Sequence, residues 1–299
     1  PRVGQILILM VRFSSYILHG SYAGARRVCV RVHRHTYTNA GRSDSEIQRF
    51  CQSFMTELYR HIGPNLDIPA GDINVGSREI GYLYGQYKRI VNRVECICTG
   101  KGVVYGGSHV REQATGFGVI YFLQNVLSRY GVQNLQSIRV AISGAGNVAL
   151  YAAYKLLQLQ ATVVAVSDSN GCLLFDGGMT WDHWKQIHMV KTGAKGSVEK
   201  LLDTFDDVQF LPHEKPWRNC ECDIAIPCAT QNEVDEGDVA YLLQHSCRCV
   251  IEGANMPCTM QAMKMLLQKQ VLYIPGKASN AGGVAVSGLE MAQNASKMP

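Results

Sequence analysis

A chain of 299 residues has room for two domains, and 46% hydrophobic with 18% charged residues is the balance of a globular protein with a core. The net charge of +5 is local: residues 1–43 hold seven arginines (Arg2, Arg12, Arg26, Arg27, Arg31, Arg34, Arg42) and no acid, while the other 256 carry 22 bases against 24 acids. This speaks against a nucleic-acid-binding face, and no apolar run approaches the ~20 residues of a membrane helix, so neither nucleic acid nor membrane is expected as a partner.

In chain order, residues 1–42 are an anomalous basic segment without period or capping logic. Order begins at "GRSDSEIQRFCQSFMTELYRHIG", where Ser43 or Asp44 can cap a helix whose Ile47, Phe50, Phe54, Leu58 and Ile62 share a face, ending at Gly63. "LDIPAGDINVG" reads as a short strand and turn, and "SREIGYLYGQYKRIV" as a second helix with Ile80, Leu83, Tyr84, Tyr87 and Val91 on one side. "TGKGVVYGGS" is a glycine-rich hinge, and "ATGFGVIYFLQNVLSRYG" a helix ended by Gly131. Strands "SIRVAISG", "ATVVAVSD", "CDIAIPCA", "CRCVIEGA" and "QVLYIPG" then alternate with helices. The expected fold class is α/β. Residues 43–104 are the remnant of a substrate and oligomerisation domain, and residues 105–299 form a Rossmann-like, doubly wound dinucleotide-binding domain.

The chain has 11 cysteines, an odd number scattered through apolar runs, which points to reduced thiols. The pairs Cys96/Cys98, Cys220/Cys222 and Cys247/Cys249 alternate in strand-like runs and have one residue between them where structural zinc ligands more often have two to four, so they read as core thiols, and no metal site is expected.

Gly144-Ala145-Gly146-Asn147-Val148-Ala149 is a G-x-G-x-x-A between an apolar strand and an amphipathic helix. Gly144 permits the tight turn, Gly146 lets the backbone approach a pyrophosphate, and Ala149 allows close helix packing. The helix N-terminus offers N–H groups to phosphate. Asp168 ends the next strand, where an acid meets ribose hydroxyls in NAD sites, while Ser167, Ser169, Lys191 and Lys195 suit a 2′-phosphate. Spacing leaves NAD and NADP both open.

"PAGDINVGSREIGYLYGQYKR", "ATGFGVIYF", "ISGAGNVALYAA", "SDSNG", "CDIAIPCATQNEV", "EGANMPCT" and "PGKASNAGGVAVSGLEMAQN" stand in this order, and over about Gly41 to Ser296 the chain resembles the small, hexameric glutamate dehydrogenases. The resemblance implies reversible oxidative deamination of L-glutamate to 2-oxoglutarate and ammonia, with NADP favoured over NAD by "SDS", two domains, and a homohexamer. It implies a cytoplasmic location, with mitochondrial as the alternative. It carries over Asp72 as the proton-transfer residue, with Gly71 and Arg111 at the substrate, Ser287 on its side-chain carboxylate and Val284 on its stem. On the cofactor it places Thr115, Gly144, Gly146, Asn147, Val148, Asp168, Ser169, Ala229, Thr230, Asn255 and Asn280. Taken singly, Thr115 reads as an N-cap, Arg111 as a solvated charge and Ser287 as a packing hydroxyl. Only their joint arrival favours function.

The family's lysine-rich substrate motif is missing: the first lysine is Lys88. We expect residues 1 to about 39 to come from a shifted reading frame or a misassigned gene start, and the chain to stop short of the family's terminal helices. Two substrate carboxylates then lack charge-assisted partners worth about 1.5–3 kcal/mol each. The expectation is little deaminase activity from the polypeptide as written. The alternative reading is an impaired fragment that binds dinucleotide or joins intact subunits.

Overall fold

The computed structural model describes residues 8–10, 28–30, 42–71, 75–194 and 196–296. Asp72, Lys195 and nearly all of the basic segment lie outside the described residues. The chain divides into two compact units, one of Pro1–Arg111 with Ala285–Pro299 and one of Glu112–Val284. The sequence grouped the final residues with the second domain and placed its boundary at 104/105. The packing instead groups 285–299 with the first unit, through contacts described below.

The first unit has strands β1 (Ile8–Met10), β2 (Val28–Val30) and β3 (Ala70–Gly71), with β1 antiparallel and β3 parallel to β2. Helices α1 (Asp44–Leu58) and α2 (Ser77–Val91) supply its core. Ser43 and Glu46 form a reciprocal capping box at the start of α1. The expected aromatic stripe is rotated. Ile47, Cys51, Met55 and Leu58 are buried against Ile80, Leu83, Tyr84 and Tyr87 of α2, while Phe50 and Phe54 stack on each other at the margin. Arg78 of α2 reaches Asp44 at 2.6 Å and adds a link between the helix starts.

The second unit begins with α3 (Ala114–Arg129), then runs β4 (Arg139–Ser143), α4 (Asn147–Gln158), β5 (Thr162–Ser167), β6 (Gly171–Phe175), α5 (Trp181–Met189), β7 (Val208–Pro212), α6 (Pro216–Asn219), β8 (Ile224–Pro227), α7 (Glu236–Gln244), β9 (Cys249–Ile251), α8 (Met260–Gln268), β10 (Leu272–Ile274) and α9 (Gly276–Ser279). Helix α10 (Gly282–Ala295) follows. One seven-stranded sheet has the order β10-β9-β8-β4-β5-β6-β7. Alternate residues feed two cores: Val140, Ile142, Ile224 and Ile226 face α3, α4 and α5, while Ala141, Ala225 and Val250 face α6, α7 and α8. Cys249, the first residue of β9, joins the first core, while Cys247, in the loop before the strand, joins the second together with Cys220 and Cys222.

Two strands were not anticipated. β6 and β7 extend the sheet antiparallel. Only residues 168–170 join β5 to β6, and so short a link can make a hairpin but not a crossover. Among the described residues no helix is long and apolar enough to cross a membrane.

Candidate active site

The order of the sheet locates a crevice. From β4 the chain moves to β5 on one side, and it later returns to β8 on the other, so the connections change direction between β4 and β8. Ligands of open α/β sheets bind beyond the carboxyl ends of strands at such a switch point. Ser143, the last residue of β4, accepts the Cys228 N–H on its hydroxyl at 3.0 Å. Gly144 follows with φ +82°, and a Cβ built there would stand 3.1 Å from the Ala229 Cα and the Cys228 carbonyl oxygen. Its N–H donates to the Ser167 hydroxyl at 3.1 Å, at the end of β5. Glycine is required here on both counts, conformation and space.

Gly146 is the N-cap of α4, with φ −85° and no side-chain hydrogen bond capping the helix. Nothing lies within 4 Å of a Cβ built on Gly146. The first-turn N–H groups of α4 thus carry no side-chain cap, beside open space, which fits a pyrophosphate. Asn147 is exposed, and its amide donates to the Glu112 carbonyl at 2.5 Å, so the chain entering α3 lies at the start of α4. Thr115 sits half-buried in that first turn of α3, where Gln113, not Thr115, is the N-cap. Val148 is half-buried beside Gly253, where an added Cβ would stand 3.4 Å from the valine methyl. Ala149 is buried, as close helix–strand packing needs.

Across the crevice, Ala229 and Thr230 are exposed after β8. The Asn280 amide donates to the Asn255 side chain at 2.8 Å, so these two expected cofactor residues meet. The Ala229 N–H donates to the carboxylate of Glu233 at 2.9 Å, a residue the sequence did not single out.

Asp168 occupies a different environment from an open ribose site. Its carboxylate accepts from the Asn170 N–H at 2.8 Å, the Val198 N–H at 2.9 Å and Lys191 Nζ at 3.0 Å, with 5% of the side chain exposed. The first of these bonds is an Asx turn, which closes the β5–β6 hairpin. Burial pushes the carboxyl up, but the two backbone donors and the Lys191 ammonium outweigh it and hold the group below the usual carboxylate value. Ser169 is exposed beside it.

In the first unit, Ser287 on α10 is 2% exposed and accepts a hydrogen bond from Arg111 Nε at 2.9 Å. Two expected substrate residues are thereby in contact, and a hydroxyl that accepts from a cation is polarised to donate to an anion. One turn further on, Glu290 is buried with Lys101: Nζ lies 2.7 Å from its carboxylate, with side chains 1% and 0% exposed. Gly100 N–H donates to the same carboxylate at 2.9 Å. Gly71 ends β3, where a Cβ would come within 2.4 Å of the Val75 carbonyl oxygen. Val284 is exposed on α10.

Strand, glycine turn, helix and switch point together define a fold of the dinucleotide-binding α/β class. Residues 106–299 match the model of the glutamate/leucine/phenylalanine/valine dehydrogenases, and residues 35–89 match the dimerisation domain of the same enzymes. The chain belongs to this family. It is similar to the NADP-specific glutamate dehydrogenase of Chlorella sorokiniana, with 50% identity over 257 residues, 85% of this chain and 49% of the relative. To the NADP-specific glutamate dehydrogenase of Escherichia coli it is 45% identical over 258 residues, 86% of this chain and 57% of the relative. The glutamate dehydrogenase of Plasmodium falciparum superposes with a TM-score of 0.83 at 47% identity, over 88% of this chain and 56% of that one. The chain spans about half the length of the curated relatives it matches.

Proposed function

We propose that the protein serves the reversible, NADP-dependent oxidative deamination of L-glutamate to 2-oxoglutarate and ammonia. The observation that carries this is the glycine turn at the switch point, in a chain 50% identical to an NADP-specific glutamate dehydrogenase. Bound NADP supplies the acceptor for the substrate hydride. The chain's residues supply the rest. Gly144, Gly146, Asn147 and the first turn of α4 hold phosphate. Thr115, Val148, Ala229, Thr230, Asn255 and Asn280 line the crevice. Ser169 faces the 2′-phosphate. Asp168 supports NADP over NAD, because its charge is neutralised by Lys191 and does not repel that phosphate.

Arg111 and Ser287 form the carboxylate-binding pair, with Val284 on the substrate stem and Gly71 contributing backbone. A serine there suits glutamate over apolar amino acids, since a buried hydroxyl left unpaired costs specificity energy. Asp72 is the proton shuttle to and from the substrate nitrogen. A homohexamer is the proposed assembly, supported by the dimerisation-domain match.

No lysine precedes Lys88, so the 299-residue polypeptide alone is expected to bind NADPH yet turn over glutamate weakly. A chimera that adds a segment bearing the family's lysine motif tests the reading. It should reduce NADP with L-glutamate far faster than with leucine, valine or phenylalanine, and Ser287→Ala should raise the KM for glutamate. Faster turnover of an apolar amino acid contradicts the assignment, and sedimentation at the mass of a monomer contradicts the assembly.

A further inference from the structure

Glu233 lies six residues beyond the end of β8, two before the N-cap Asp235 of α7. Its carboxylate sits beneath the loop after β8. The Ala229 N–H donates to it at 2.9 Å, and the Thr230 N–H and the Ser143 hydroxyl also hydrogen-bond to it. Ser143 in turn accepts the Cys228 N–H at 3.0 Å and immediately precedes Gly144. One side chain therefore gathers the backbone of residues 228–230 and ties it to the end of β4, across the switch point. The clearance it governs is small, since the Gly144 turn has 3.1 Å to the Ala229 Cα for any added atom.

We propose that Glu233 is a positioning residue for the dinucleotide, clamping the 228–230 loop against the Gly144 turn and so setting the width of the crevice that receives the cofactor. This rests on the dinucleotide reading above. Three donors converge on the carboxylate, a pattern that suits its ionised form. The charged and titratable groups around it are Lys215, the thiols of Cys228 and Cys258, and Asp235 and Asp238 at the start of α7. Lys215 donates to the Glu233 carbonyl oxygen at 2.7 Å and also pairs with Asp238 and Asp235. Burial pushes the Glu233 carboxyl up to about 7, against the downward pull of Ser143, Ala229, Thr230 and Lys215. Protonation puts a hydrogen on oxygens that already accept, which releases a donor and loosens the loop. A looser loop must be ordered on binding, so affinity falls as pH drops through neutrality.

The test is calorimetric titration of the purified 299-residue protein with NADPH and with NADH at pH 6 and pH 8, for wild type, Glu233→Gln and Glu233→Ala. NADH lacks the 2′-phosphate, so a pH effect seen with both cofactors belongs to the protein. Wild type should bind both about tenfold more tightly at pH 8 than at pH 6. Glu233→Gln should lose the pH dependence and keep part of the affinity through its amide oxygen. Glu233→Ala should bind about tenfold or more weakly at pH 8. If the alanine variant does not fold, the glutamine variant decides alone. A wild-type pH ratio retained in Glu233→Gln, or wild-type affinity in folded Glu233→Ala, overturns the proposal. Wild type that binds neither cofactor overturns the dinucleotide reading as well.

Discussion

Gly144 and Gly146 look alike in the motif but are needed for different reasons, and substitution separates them. Alanine at 144 meets both a left-handed backbone and a neighbour at 3.1 Å. Gly144→Ala should therefore cost stability, about 1–2 kcal/mol in urea unfolding, along with NADPH affinity. At 146 the backbone is extended and the space open, so Gly146→Ala should leave the unfolding midpoint nearly unchanged while its methyl obstructs phosphate. Equal stability losses for the two variants would contradict this division. Asp168 gives a pH prediction. Its carboxyl is depressed in the fold, so its contribution is present above the ordinary value of 3.8 and is lost as pH falls through the folded value. The stability gap between wild type and Asp168→Asn should be full at pH 7 and shrink below about pH 4. A gap that stays constant to pH 3 would mean that the Lys191 and backbone partners do not engage the charge.

Elements were legible where their signals are local. The Ser43–Glu46 box marks the start of α1, and strand, glycine turn and helix around Gly144 mark one another. Loss of the box in Ser43→Ala should cost about 1 kcal/mol. β6 and β7 escaped because a five-residue apolar run does not say whether it joins a sheet parallel or antiparallel. The hairpin is set by Asp168, first noticed for its cofactor chemistry, which accepts the Asn170 N–H. The engagement of Glu233 was equally hidden, since one of its partners, Ser143, lies 90 residues away in the chain. The Lys101–Glu290 pair is another long-range link, joining the hinge segment to α10 within the first unit. Lys101→Met alone should cost about 3–5 kcal/mol by leaving a buried carboxylate unpaired, and Lys101→Met with Glu290→Met should recover most of it. A double variant no more stable than the single one would contradict that reading.

For the whole molecule, alternation of strands and helices gave the doubly wound class, and the two-faced core follows from it. The chain's later return to the first unit was not visible, because nothing local to residues 285–299 names Lys101 or Arg111 as partners. The crevice is where these scales meet: sheet order places it, the glycine turn shapes it, and side chains beneath the loops hold its walls. Calorimetric titration of the 299-residue protein with NADPH and NADH at pH 8 tests the account most directly. It predicts saturable binding of one dinucleotide per chain, tighter for NADPH, and abolished in a Gly146→Ala variant that melts like wild type. No binding by the wild type, or binding indifferent to the Gly146→Ala change, would contradict it.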